Sequence, residues 1–312
     1  MNKISAIQVI VDPNAAVHPC VDKAATLAEK LDARVELLVC DTKAARHVRA
    51  LAHLEKGRTK DLPVEPDTLI ATLAKALRSK RIEVTTCIDF AEPLHEGLLK
   101  HVRNTTADLV VKDTHHHSLL RRTLITNTDW HLIRGCAAPL LLTKSIPWRK
   151  VPTIVVALDP GHVNDKPATL DRNLLAWGDF LRKQLQGTLH AAHAYIPAPI
   201  LIAAGETMPS LMGVITTELL EAEKGETLTA ICDLASGVQL ELANLHLQLG
   251  TAGAYLPDLT SQLNADILVA GAVSRSGVAR LFIGSTAEQI LENATCDILV
   301  VKPLDFASDL PF

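Results

Sequence analysis

The chain has 312 residues, a formal net charge of -4, 48% hydrophobic residues and only 3% aromatic ones. At roughly 150 residues per domain the length favours two domains, and a core poor in aromatics must be built from Leu, Val, Ile and Ala, which suits helices packed on a buried parallel sheet. The charge gives no general field for nucleic acid, and no run of about 18 apolar residues exists to span a membrane.

In chain order, Ile7 to Asp12 is an apolar strand closed by Asp12-Pro13-Asn14, a turn signal. Val17, Ala24, Ala25, Ala28 and Leu31 recur at helical spacing. Arg34 to Cys40 is a second strand. A polar, basic stretch follows, with helical segments at Ala44–Leu54 and Pro66–Lys80. Ile82–Phe90 is a third strand and Pro93–Asn104 a helix. Asp108–Lys112 is a fully apolar fourth strand, followed by a loop, a helix at 127–135 and a fifth strand at Pro139–Thr143.

Residues 145–152 carry Pro147 and Pro152 and form the linker; the pattern then restarts. Thr153–Leu158 is a strand ending in Asp159-Pro160-Gly161, which echoes Asp12-Pro13-Asn14. Leu170–Leu185 is a helix and Thr188–Tyr195 a strand. An excursion covers 196–237, unusually apolar over 196–213. A strand lies within Leu240–Gly250, a helix at Leu256–Leu263, and strands at Asp266–Ala270 and Asp297–Lys302. A shift of 158 residues superposes Asp108 on Asp266, Arg122 on Arg280, Thr128 on Thr286 and Lys144 on Lys302. The chain is therefore a duplicated α/β unit, with a first domain at 1–146 and a second at 152–312. Alternating strands and helices predict parallel pairing with right-handed crossovers.

After Asp266–Ala270 the second half has a loop rich in Gly and Ser that runs into a helix. Such a loop turns backbone N–H groups toward an anion, and the helix N-terminus adds favourable partial charge. Gly271, Ser274, Arg275, Gly277, Gly284, Ser285 and Thr286 are the candidate phosphate-binding residues, with Asp159 and Pro160 at the tip of the first strand. The competing reading is that the glycines only make turns and Ser285 only caps a helix. In the first half, the equivalent loop reads Asp113-Thr114-His115-His116-His117. Asp113, His115 and His117 are candidate zinc ligands, with His95, His101 or His131 as completing donors; a solvated polar loop is the alternative. His190 and His193, three apart on one strand, point to opposite faces and read as structural. Six scattered cysteines without a CxxC read as thiols of a reducing compartment, and the location expected is cytoplasmic.

The strand ending in Asp159-Pro160, the Gly271…Gly284-Ser285 loop and the closing strand Asp297–Lys302 together resemble the universal stress protein family in its tandem two-domain form. The resemblance covers nearly the whole chain. It implies two open five-stranded parallel-sheet domains of nucleotide-binding α/β type, with the last strands of the two units paired into an internal pseudo-dimer and further homo-oligomers open. Nucleotide-binding members carry Gly-x2-Gly-x9-Gly-(Ser/Thr). Gly271, Gly284 and Ser285 match this pattern and Ser274 departs from it. In the first half, Asp113, His116, Thr126 and Asn127 stand at those positions. The resemblance implies ATP or AMP as the ligand of the second half, with Asp159 on ribose or base edges. The alternatives are an apolar, lipid-like molecule with a phosphate head, walled by 196–213, and a ligand-free interaction scaffold. No nucleophile elbow, Walker lysine or HExxH is present; the enzyme reading reaches no further than a weak ATPase.

Overall fold

The computed structural model describes residues 3–42, 65–117, 122–161, 169–196, 217–272, 285–304 and 306. The chain packs as two α/β units: residues 1–148 with 297–312, and residues 149–296.

Unit 1 opens with β1 (Ala6–Ile10), whose five residues are all buried, and α1 (Pro19–Leu31). Then come β2 (Arg34–Asp41), α2 (Pro66–Ser79), β3 (Val84–Phe90), α3 (Leu94–Thr105) and β4 (Leu109–Asp113). The antiparallel strands β5 (His115–His117) and β6 (Arg122–Leu124), helix α4 (Asn127–Gly135) and β7 (Leu140–Thr143) complete the first repeat. The strand order is β3-β2-β1-β4-β7, all parallel. Strands covered on both faces must be apolar throughout, and Val9, Val35, Leu37, Val110 and Val111 are fully buried.

Unit 2 contains β8 (Thr153–Ala157), α5 (Thr169–Leu185), β9 (Thr188–Tyr195), α6 (Thr217–Leu234), β10 (Leu245–Leu249), α7 (Ala252–Gln262), β11 (Ile267–Gly271) and α8 (Ser285–Asn293). Its strands run parallel in the order β10-β9-β8-β11. The last strand, β12 (Asp297–Val301), lies with unit 1 and pairs antiparallel with β7, Leu299 opposite Leu141.

The α/β class and the tandem, mostly parallel architecture are those expected from the sequence. Strands β5 and β6, antiparallel to each other, stand where a loop was expected; α6 at the end of the excursion and a short 3-10 helix at Leu242–Asn244 are further additions. The expected helix at 44–54 and the apolar run 197–213 lie outside the described residues.

Carboxylates fix the ends of the strands. Asp108 accepts hydrogen bonds from Ser5 N, Ser5 Oγ and Ala6 N at 2.8–3.0 Å, tying the start of β1 to the start of β4. Burial pushes this carboxyl up, but the hydrogen bonds from Ser5 and Ala6 outweigh it and leave the group below its usual range. Asp266 repeats the arrangement, accepting from Thr153 N at 2.7 Å, from Arg149 N at 2.9 Å and from the Arg149 guanidinium. Asp297 holds β12. It accepts from Lys23 Nζ of α1 at 2.7 Å, Lys144 N at 2.8 Å and Trp148 Nε1 at 2.7 Å, and both charged side chains are buried.

Removing one partner of a buried ion pair strands the other charge, at a cost of about 3–5 kcal/mol. Asp297→Ala is therefore expected to lose about that much stability in urea unfolding. Arg149 is half-exposed, so Arg149→Ala is expected to lose no more than about 1 kcal/mol.

Candidate functional site

In an open parallel sheet, ligands bind outside the carboxyl ends of the strands, where the chain reverses its direction of winding. In unit 2 this point lies between β8 and β11. The chain leaves β8 toward β9 on one side and later returns to β11 on the other. The register sets Val269 opposite Val156, so Gly271, two residues on, and Asp159, three residues on, emerge at the same end of adjacent strands. Asp159 N donates to Asp171 Oδ1 of the first turn of α5 at 3.3 Å. Asp159 and Pro160 are half-buried.

Gly271 has a packing reason for lacking a side chain. A Cβ there would lie 2.9 Å from Leu170 Cδ2 and 3.4 Å from Leu174 Cδ1 of α5. Ser285 opens α8 and Thr286 is exposed in its first turn. Ser274, Arg275, Gly277 and Gly284 lie outside the described residues.

The same crevice in unit 1, between β1 and β4, is filled by the chain's own charges. Asp113 Oδ1 accepts from Cys20 N, in the first turn of α1, at 2.7 Å and from Thr143 Oγ1 at 2.6 Å. The residue before α1, His18, makes no side-chain cap, so Asp113 supplies the cap from another strand. At α4, Thr126 and Asp129 form a capping box: Thr126 N donates to Asp129 Oδ2 at 2.8 Å, and Asp129 N donates to Thr126 Oγ1 at 3.2 Å. Lys112 Nζ lies 2.7 Å from Asp129 Oδ1, a charge contact rather than an aligned hydrogen bond, and donates to Asp113 O at 2.9 Å. The T-x-x-D spacing of the capping box is visible in the sequence; the reach of Asp113 to α1 depends on the sheet and has no local signature.

This geometry bears on the zinc reading. The Asp113 carboxylate already serves a helix N-terminus and a hydroxyl. The three completing histidines are engaged elsewhere: His95 and His131 stack on each other with ring centroids 3.6 Å apart, and His101 Nε2 lies 3.2 Å from Glu36 Oε1. Among the described residues no group of three or more His, Cys, Asp and Glu could hold a metal ion. The side chains of His115 and His117 lie outside the described set; their backbones belong to β5.

The strand histidines of unit 2 are structural in their contacts. His193 is buried with Nδ1 2.8 Å from Leu158 O. His190 Nδ1 lies 2.9 Å from His246 Nε2 on the neighbouring strand, a partner the sequence does not reveal. Burial lowers both pKa values of this pair, and His246 lowers that of His190 further.

The family comparisons agree with this architecture. A model of the universal stress protein family matches residues 4–144 and 151–302. Universal stress protein E of Escherichia coli is 27% identical over 300 residues, covering 95% of this chain and 93% of that protein. The protein of the same name from Photorhabdus laumondii is 24% identical over 302 residues, covering 96% and 95%. Among solved structures, a protein from Pseudomonas aeruginosa superposes with a TM-score of 0.75 at 22% identity, covering 96% of this chain and 94% of that one. A universal stress protein from Archaeoglobus fulgidus gives 0.64 at 14% identity, covering 97% and 100%. At these identities the structures speak to the fold.

The paired histidines carry a pH dependence. Their folded pKa values lie below the ordinary 6.5, so below that pH the unfolded chain takes up protons first and stability falls as pH falls. Urea midpoints measured between pH 8 and 5 are expected to drop below about pH 6.5 in the wild type, and to drop less in His246→Gln.

Proposed function

The chain belongs to the universal stress protein family, whose model matches both halves, and from that membership we propose that the second half binds ATP, AMP or a related phosphate ligand. The observation that carries the reading is a coordinated exchange between the two crevices. At the 158-residue shift, the unit 1 residues Lys112, Asp113, Thr126, Asp129 and Thr143 become Ala270, Gly271, Gly284, Ala287 and Val301. Every group that satisfies the unit 1 crevice from within is replaced by a residue without a polar side chain.

The loss of both carboxylates matters most. Asp113 offsets the positive end of α1 and Asp129 that of α4. Their counterparts Gly271 and Ala287 offer no charge. Helix N-termini at the carboxyl end of a parallel sheet favour an anion, and the polyphosphate of a nucleotide is an external anion of the required kind. Asp159 would then meet ribose or base at the β8 side, while Ser285 and Thr286 offer hydroxyls and N–H groups at the start of α8. Arg275 would add positive charge from the loop. In this proposal the first half, its crevice self-neutralised, is the paired structural copy.

The exchange can be reversed one charge at a time. Ala287 is the third residue of α8, a position where Asp caps a helix without strain. Ala287→Asp is expected to keep or raise thermal stability and to weaken ATP and AMP binding at least tenfold by calorimetric titration. Equal affinity in wild type and variant would sink the assignment.

A further inference from the structure

Outside the crevice, one face of the unit 1 sheet carries a row of polar side chains in an otherwise apolar core. The register places Gln8 of β1 opposite Glu36 of β2, and Glu36 opposite Thr85 of β3. Cys87, two residues beyond Thr85, projects from that same face. Helix α3 brings His101 to it.

The contacts follow a definite order. Gln8, 1% exposed, donates from Nε2 to Glu36 Oε2 at 2.8 Å. The other oxygen, Glu36 Oε1, lies 3.2 Å from His101 Nε2, and His101 Nδ1 lies 4.0 Å from Cys87 Sγ. A carboxylate at Nε2 holds the ring proton there, so Nδ1 is the basic nitrogen that faces the thiol. Nucleophile, base and orienting carboxylate thus stand in sequence, the arrangement that activates a thiol for covalent chemistry. Cys87, His101 and Glu36 are all partly exposed, so the sulfur is reachable. These residues form no metal-holding group.

We propose that Cys87 is a base-assisted nucleophile that takes neutral, soft electrophiles of the α,β-unsaturated carbonyl class, with His101 as its base and Glu36 and Gln8 as positioning residues. The sulfur adds to the β-carbon, and the C=C π bond breaks to give an enolate. The thiol proton passes to His101 Nδ1 and from the imidazolium to the α-carbon. Nothing is oxidised and no group leaves.

The surrounding charges select the electrophile. Burial pushes the Cys87 thiol up, and the carboxylates of Glu36 and Asp89 push it further. The resting group is therefore the protonated thiol, and an anionic reagent is repelled. Cys40 of β2 adds a second thiol nearby, and the α2 cation at Arg78 is spent on Val84 O at the far end of β3. Proton transfer to His101 during attack lets a neutral thiol react without first forming a thiolate.

N-ethylmaleimide is the probe, applied to the full chain below stoichiometry, with peptide mass spectrometry reading each of the six cysteines. Cys232, exposed on α6, is the internal reference. Cys87 is expected to label at least as fast as Cys232 at pH 7. His101→Asn is expected to slow Cys87 about tenfold or more while leaving Cys232 unchanged. Between pH 6 and 8 the wild-type Cys87 rate is expected to rise less than tenfold per unit. In His101→Asn it rises about tenfold per unit, as for a thiol that reacts only as thiolate. Glu36→Gln is expected to show a smaller loss in the same direction. Slower labelling of Cys87 than of Cys232 in the wild type overturns the proposal without any variant, and so does an unchanged rate and pH slope in His101→Asn.

Discussion

Parallel sheets flanked by helices direct helix N-termini toward the carboxyl ends of the strands, and each N-terminus brings unpaired N–H groups and positive partial charge. Something negative has to answer them. In unit 1 the chain supplies the answer itself: Asp113 accepts from Cys20 N, and Asp129 closes the capping box of α4. Lys112 then balances Asp129, and Thr143 fixes Asp113 by donating to it. These five side chains form one coupled arrangement, so the loss of one weakens the contacts of the others. The second half lacks all of them together. That is the expected pattern when one solution to a charge requirement is replaced by another, and it is what makes an external anion the economical reading of Gly271 and Ala287.

The glycine at 271 shows why motif matching alone misleads. In sequence it reads as room for a ligand. In the structure a Cβ there would lie 2.9 Å from Leu170 Cδ2, so helix packing by itself already favours glycine. The stronger indication lies in Ala287, which no glycine pattern includes. Its significance appears only when its counterpart, Asp129, is seen capping a helix in the other half.

The strands of both units were legible because strands buried on both faces are continuous apolar runs, as in Asp108–Lys112 and Asp266–Ala270. The duplication was legible because apolar runs and turn signals recur at a fixed shift. The pairing of β5 with β6 was not: His115, His116 and His117 have no alternating apolar pattern, and the pairing with Arg122–Leu124 rests on backbone hydrogen bonds that composition does not report. Helix α6 was obscured by Gly225 and by polar residues on every side, such as Glu218, Glu221, Lys224 and Glu226, which blur the 3.6-residue period. Of the candidate site, Asp159 and Gly271 were readable as strand ends, whereas the neutralising role of Asp113 depends on a contact 93 residues away in sequence.

Duplication also explains why reactive-looking polar groups sit on the outer strands. Glu36 is the third residue of β2 and His190 the third residue of β9. Each has a polar partner on the adjoining strand or helix: His101 for Glu36, His246 for His190. The inner strands β1, β4, β8 and β11 are covered on both faces and tolerate few polar side chains. The outermost strands β3 and β10 are only partly covered, and beside them a polar side chain can be half-solvated and hydrogen-bonded at once, which removes most of the cost of burying it. The two halves have filled this shared allowance differently. Unit 2 holds two imidazoles that favour the neutral state and face each other. Unit 1 holds a carboxylate that orients an imidazole toward a thiol. The chemistry proposed for Cys87 thus arises where the fold is most permissive, away from the crevice whose charges are fixed by the helices.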